Sequence, residues 1–472
     1  MRVKGRDIAL VKIDTTMTGL APVRAKARIE VLDILRGLAI LGILFINVPY
    51  MAAPVWQFSN DIRSIGWTPA DQGAWAFVNI FFAGTQRCVL QFLFGAGMMV
   101  LAKKAMTPDG PVAVSDLYYR RNMWLLAFGL FDVFVLLWPG DILHIYALAA
   151  LFLFPFRNLA PKYLLGLGLG WAMLFAVGIP DYGAREYIDR SQLVHQVHTI
   201  EAKERTGGAL TVDDRATIDQ WQRLQHHAPE PDLQQRIAGE RKAHAGGFIP
   251  YAREAWSYWS FLASQWLVWD VIEAFCTMLI GVALWKWGVI QGQRSRDFYV
   301  GLMIAAYAFG ITARWYGVAE TLSFSTGPRT LWITGEFSRL AIGLGHLALV
   351  NWAVQTRPGM AILAPFKAAG RMAFSLYFMQ QFVGKYILFA PFALNLWGRF
   401  GWADMALISA VGITVQVVIA NLWFRWFASG PLEWLWRSLA YVKLQPILRA
   451  GISAPPRPDP ALPSAPSAVA AE

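Results

Sequence analysis

The stretch Val31–Met51, VLDILRGLAILGILFINVPYM, decides the fold. It is an apolar run long enough to cross a bilayer, which takes roughly 20 residues of helix. It also carries Asp33, Arg36 and Asn47, a polar set that a plain anchor would not need. At about 3.6 residues per turn, positions 33, 36, 40, 44 and 47 share one stripe of the helix. Arg36 and Asn47 then look the same way, roughly 16 Å apart along the axis. An ionisable group inside a span costs about 2.5–3.5 kcal/mol at the bilayer centre, so this stripe is expected to face protein or water.

Composition extends that reading to the whole chain. Of 472 residues, 56% are hydrophobic and 15% charged, with mean hydropathy +0.39. Soluble domains hold about 25% charged residues. The net charge of +11 is spread between apolar runs rather than gathered in a patch. It therefore points to membrane topology and not to nucleic acid. Cys88 and Cys276 are the only cysteines, which leaves no disulfide framework and no CxxC metal site. The segment before Ile29 lacks the apolar core of a signal peptide, so the first span is expected to be retained.

Ten apolar segments follow from the pattern, at about 34–51, 76–101, 122–138, 141–156, 163–179, 266–287, 298–317, 333–354, 372–393 and 405–427. The second is long enough for one tilted helix or for an entry segment followed by a span. Trp138-Pro139-Gly140 is a turn between the third and fourth. Lys and Arg alternate with the loops: Arg24, Lys103, Arg120, Arg121, Arg157, Arg294, Lys367 and Arg437 flank one side, and the opposite short loops hold few. By the positive-inside rule both termini are cytoplasmic.

The expectation is an all-α polytopic membrane protein with about ten transmembrane helices. It divides into a basic cytoplasmic segment 1–28, five spans over 29–179, an extracytoplasmic helical insertion 180–258, five more spans with an amphipathic end over 259–450, and a disordered tail 451–472. Within the insertion, Asp181 to Thr206 reads as helix. Thr211 and Asp214 form a capping box before a helix to about His227, Pro229 and Pro231 break the chain, and a last helix runs to His244.

Several polar groups are candidates for chemistry. Asp33 and Arg36 have pairing spacing. They are either a structural ion pair or a cavity site in which the guanidinium holds a phosphate or carboxylate. Arg87, Gln91 and Gly95 share a face; Gly95 and Gly97 either bring helices close or border a site. Asp141 at the head of the fourth span either answers the helix dipole or orients His144 as a general acid–base group. Glu336 and Arg339 again have pairing spacing. The histidines of the insertion show no ligand spacing, and no metal site is expected.

Five motifs resemble, in order, the bacterial YeiB family, named as domain of unknown function 418: LDILRGLAILGILFIN (Leu32–Asn47), FLFGAG (Phe92–Gly97), GDILHIYAL (Gly140–Leu148), GRMAFSLYFMQ (Gly370–Gln380) and GPLEWLWR (Gly430–Arg437). The resemblance covers Arg28 to about Lys443. It implies a polytopic inner-membrane protein distantly similar to transmembrane acyltransferases, the acyltransferase-3 O-acetylases and heparan glucosaminide N-acetyltransferase, which pass an acyl group from a cytoplasmic donor to an acceptor across the membrane. Arg36 matches their first-span arginine. Asn47 stands where they hold a histidine, Val133 where many YeiB relatives hold one, and Leu376 where the GRMA motif commonly continues with asparagine.

The resulting expectation has Arg36 and Arg87 holding an anionic donor such as acyl-CoA, with Asp33, Asn47 and Gln91 on the same binding surface. Asp141 and His144 activate a hydroxyl or amine acceptor, and Arg371 and Gln380 line the same cavity. No tightly bound cofactor is expected. Partners are the bilayer and a small-molecule substrate, with a homo-oligomer allowed and no nucleic acid. The rivals are a transporter or exporter of a small anionic or amphipathic compound, and a non-catalytic assembly partner acting through the insertion.

Overall fold

The computed structural model describes residues 29–102, 113–225 and 231–449. The expected basic segment 1–28, the tail 451–472 and His226-His227 lie outside them. Among the described residues the chain is helix and turn, with one isolated bridge between Phe427 and Leu448 and no strand.

The opening run forms α1 (Glu30–Gly42) and α2 (Leu44–Ala52), joined at Ile43, and then a short α3 (Val55–Asn60). The long second segment is two helices, α4 (Pro69–Phe81) and α5 (Thr85–Ala102). They part at Gly84, whose φ of +72° suits glycine. Thr68 and Asp71 start α4 with a reciprocal capping box. Next come α6 (Ala113–Phe134), the Trp138-Pro139-Gly140 turn, α7 (Leu143–Leu153), α8 (Pro161–Gly168) and α9 (Gly170–Val177).

The insertion is helical as expected, with α10 (Ala184–Arg205), α11 (Val212–Gln225) and α12 (Pro231–His244). The Thr211–Asp214 box opens α11, at 2.8 and 3.1 Å. The last polar stretch is not a separate element. It runs into the span as one helix of 39 residues, α13 (Phe248–Lys286). The chain ends with α14 (Arg296–Leu322), α15 (Leu331–Val354), α16 (Arg357–Arg371), α17 (Ala373–Phe382), α18 (Trp402–Trp423) and α19 (Pro431–Tyr441).

Among the described residues six stretches are long and apolar enough to cross a membrane: Glu30–Ala52, Pro69–Ala102, Phe248–Lys286, Arg296–Leu322, Leu331–Val354 and Trp402–Trp423. Leu143–Asn158 and Pro161–Val177 are shorter apolar helical stretches. Of the two other expected segments, 122–138 falls on α6, which carries Asp116, Arg120, Arg121 and Asp132. The segment 372–393 holds the ten-residue α17 and a single π turn, Val383–Leu388.

Two backbone contacts fix the middle of the bundle. A Cβ on Gly370 of α16 would stand 1.6 Å from the Asp33 carbonyl oxygen of α1. One on Gly95 of α5 would stand 2.2 Å from the Met278 carbonyl oxygen of α13. Only glycine allows helices so near. Gly95 is thus a packing residue, while a Cβ on Gly97 would meet no atom within 4 Å.

The insertion is clasped to the bundle through Glu240, whose carboxylate accepts the N–H groups of Val55 (2.8 Å) and Trp56 (3.3 Å). Beside it the His244 ring stacks on Trp397, with centroids 3.9 Å apart. Burial pushes the Glu240 carboxyl up to about 7 and the His244 imidazole down to about 4.

Candidate functional site

Two cavities of similar size, about 440 and 460 Å³, occupy the bundle, and they share only Ile142 and Tyr377. The first lies toward the insertion end of α1–α2. Asn47 and Tyr50 of α2, Gln86 and Arg87 of α5, the turn at Trp138–Ile142, His144 of α7 and the Tyr258–Asp270 stretch of α13 line it. The second lies toward the end at which α1 begins, with Asp33 and Arg36 of α1, Arg121 of α6, Arg371 of α16, and Glu433 and Arg437 of α19.

In the first cavity, Asp141 and His144 form a built pair. The His144 N–H donates to Asp141 Oδ2 at 2.9 Å, and His144 Nδ1 lies 2.7 Å from the same oxygen. A carboxylate there fixes the tautomer that carries the proton on Nδ1, so Nε2 is the ring atom able to take a proton. The other carboxylate oxygen accepts from the Tyr377 hydroxyl at 3.0 Å, and the Ile142 N–H donates to that hydroxyl at 3.2 Å. Asp132 of α6 is fully buried against Asp141 and Tyr377. The close approach of α6 depends on Gly129, where a Cβ would stand 2.4 Å from the His144 nitrogen.

Arg87 also borders this cavity, but it is held by carboxylates. Its guanidinium lies 2.8 Å from Glu273 and 3.8 Å from Asp270. Glu273 is shared with Arg339 (3.2 Å), Arg339 pairs with Glu336 (2.8 Å), and Gln91 donates to Glu273 at 3.1 Å. This network spans α5, α13 and α15 and sets each of its two guanidinium groups against two carboxylates, Glu273 being shared, which is how an apolar interior tolerates the charge.

In the second cavity four guanidinium groups face two carboxylates, a surplus of two positive charges. Arg36 pairs with Asp33 at 2.9 Å, as the spacing anticipates, and Arg121 lies over the Trp436 ring. Arg371 donates to the Ala428 carbonyl at 3.1 Å and stacks on Phe424. Glu433 accepts the Phe374 N–H at 2.7 Å and the Ser375 hydroxyl at 2.6 Å, which seats the start of α17 and, a turn later, Tyr377. Leu90, Leu93, Phe94 and Met98 complete the wall with apolar surface. The site suits an amphipathic anion.

These placements correct several sequence expectations. Arg36 and Arg87 do not share a cavity, because the polar stripe of the first span runs past Ile43 and its two ends open into different chambers. Arg371 lies with Arg36 and not with His144. Gln380 and Gln91 line neither cavity: Gln380 donates to the Ile40 carbonyl (3.1 Å) and to Gln416 (3.0 Å), and Gln91 belongs to the buried network. Tyr377, Arg121, Arg437 and Glu433 are among the wall residues not named as site candidates from sequence. No cluster of three metal-ligating side chains occurs among the described residues.

A family model described as "Protein of unknown function (DUF418)" matches residues 284–443, which include the α16–α17 and α19 walls. The chain is 31% identical over 447 residues to "Uncharacterized protein YxaH" of Bacillus subtilis (strain 168), covering 92% of this chain and 99% of that protein. It is 26% identical over 416 residues to "Uncharacterized protein YeiB" of Escherichia coli (strain K12), covering 86% and 95%. The chain belongs to the YeiB family, domain of unknown function 418. A third YeiB-like relative, the "Uncharacterized 39.9 kDa protein in amylase 3'region" of Bacillus acidopullulyticus, is 22% identical over 427 residues. No solved structure matches this YeiB-family chain.

Proposed function

We propose that this YeiB-family protein is an integral membrane acyltransferase that takes an acyl group from a cytoplasmic donor, such as acyl-CoA, to an extracytoplasmic hydroxyl or amine acceptor. The carrying observation is that two cavities reaching in from opposite ends of the bundle share Tyr377 and Ile142 as their common wall, with His144–Asp141 on one side and the arginines on the other. On this reading Arg36, Arg121, Arg371 and Arg437 hold the donor's phosphates and its acyl end lies along the apolar wall. His144 takes the acceptor's proton and Asp141 holds the ring in register. The separation between Arg36 and His144 is spanned by the donor's length.

The reading includes about ten spans, with α6 and the short helices α7 to α9 and α17 completing those formed by the six longer apolar stretches. Both termini are cytoplasmic, and the insertion at 180–258 is extracytoplasmic in the inner membrane. The tight placement of basic loops supports that orientation.

Purified protein in nanodiscs tests it: radiolabelled acetyl-CoA should bind, and acetyl transfer to an added amine or alcohol should follow. Absence of binding by any acyl-CoA overturns the proposal. The alternative, export of a small anionic or amphipathic compound, is favoured by the same pair of cavities. Movement of such a compound across vesicles without chemical change would establish it instead.

A further inference from the structure

Tyr377 is the one polar side chain among those lining both cavities. With Ile142 it borders both cavities, yet it is 1% exposed, its ring closed between them. Its hydroxyl is spent internally, donating to Asp141 and accepting from the Ile142 N–H. Its position is fixed from the far side by Glu433, which holds the first turn of α17. Two molecules, one in each chamber, come nearest across the wall that Tyr377 and Ile142 form.

We infer that Tyr377 is both the partition between the two cavities and the catalytic residue at the transfer point, an inference that rests on the acyl-transfer reading. The donor's carbonyl arrives from the arginine-lined chamber, and the acceptor stands beside His144. The acceptor's oxygen or nitrogen attacks the carbonyl carbon and gives its proton to His144 Nε2. Charge gathers on the carbonyl oxygen, and the Tyr377 hydroxyl turns from Asp141 to donate to it. Collapse of that intermediate breaks the carbon–sulfur bond. The thiolate leaves into the arginine-lined chamber and takes a proton from the water there, while His144 returns its proton to water on its own side. A phenol aimed at a developing oxyanion is worth a factor of about 10²–10³ in kcat, by the measure of other oxyanion donors.

Two substitutions separate the ring from the hydroxyl. Tyr377→Phe keeps the partition and loses the donor; with acetyl-CoA as donor and hydroxylamine as acceptor, kcat should fall by about 10²–10³ with KM for acetyl-CoA unchanged. Tyr377→Ala removes the ring. In full-length protein carrying Cys88→Ser, Cys276→Ser and Ile46→Cys, a charged methanethiosulfonate reagent should label position 46 from the insertion side alone. With Tyr377→Ala added, it should label from both sides. Wild-type kcat in Tyr377→Phe overturns the catalytic role, and one-sided labelling in Tyr377→Ala overturns the partition. If wild type turns over no acyl-CoA, the proposed function fails and the catalytic role with it, while the labelling still decides the partition.

Discussion

The two chambers are nearly equal in volume and opposite in chemistry. One is ringed by guanidinium groups over an apolar wall; the other holds a histidine locked to a carboxylate, among tryptophan and tyrosine side chains, and its one arginine, Arg87, is held by Glu273 and Asp270. A pore for a single permeant ion would be expected to carry the same sign of charge along its length. Here one end is suited to hold a large anion and the other to move a proton. The contrast argues that two different molecules are brought to a common wall.

The largest effect that can break the contrast is at the proton-handling end. His144→Ala should lower acetyl transfer by about 10²–10⁴ while leaving acetyl-CoA binding intact, as read by single-turnover kinetics beside equilibrium binding. Loss of binding in that variant would mean the chambers are not chemically separate. At the other end, Arg36→Ala should weaken acetyl-CoA binding by about 10- to 100-fold, the scale of a lost charge-assisted hydrogen bond, with little change in single-turnover rate at saturation. Titration calorimetry at two salt concentrations checks it, since the wild-type affinity should fall more steeply with salt. Arg87→Lys tests the difference from another direction. With its guanidinium held by Glu273 and Asp270, the change should loosen the α5–α13 contact by about 1–2 kcal/mol, read as a lower unfolding temperature, and leave donor affinity unaltered.

The smallest effect concerns the insertion. Glu240 titrates near 7 when docked and 4.5 when free, so its contribution is full below about 4.5 and is lost as pH rises through 7. His244 titrates near 4 docked and 6.5 free, so its contribution is full above about 6.5 and is lost as pH falls through 4. The slopes oppose between those limits, each about 1.4 kcal/mol per pH unit. Amide protection across α12, taken relative to the intrinsic exchange rate at each pH, should therefore vary little from pH 4.5 to 6.5. Glu240→Gln should leave only the acid-side loosening, and His244→Phe only the loosening toward neutral pH. A steep wild-type profile would show the two groups are not docked together.

The membrane class and the local pairs were legible because they depend on neighbours in sequence. Asp33–Arg36, Asp141–His144 and Glu336–Arg339 all meet at the spacing one helical turn dictates. The stripe from Arg36 to Asn47 was legible too, but a stripe does not reveal a wall placed across it. That wall is Tyr377, which meets Asp141 across 236 positions and carries no local pattern in an aromatic-rich run. Arg121 and Arg437 read as loop charges because a basic residue at a helix end serves topology and ligand alike. Gln380 misled for the opposite reason. A buried amide among apolar neighbours suggests a site, yet here its NH2 is spent on the Ile40 carbonyl and on Gln416.

The unbroken length of α13 ties the outside of the molecule to its interior. Its 39 residues make a rod of about 58 Å. One end packs beside the clasp at Glu240, and its middle, from Tyr258 to Asp270, forms a side of the histidine chamber. A rod has no hinge at which to dissipate a push. Whatever binds the insertion therefore bears on the same rod that walls the histidine chamber.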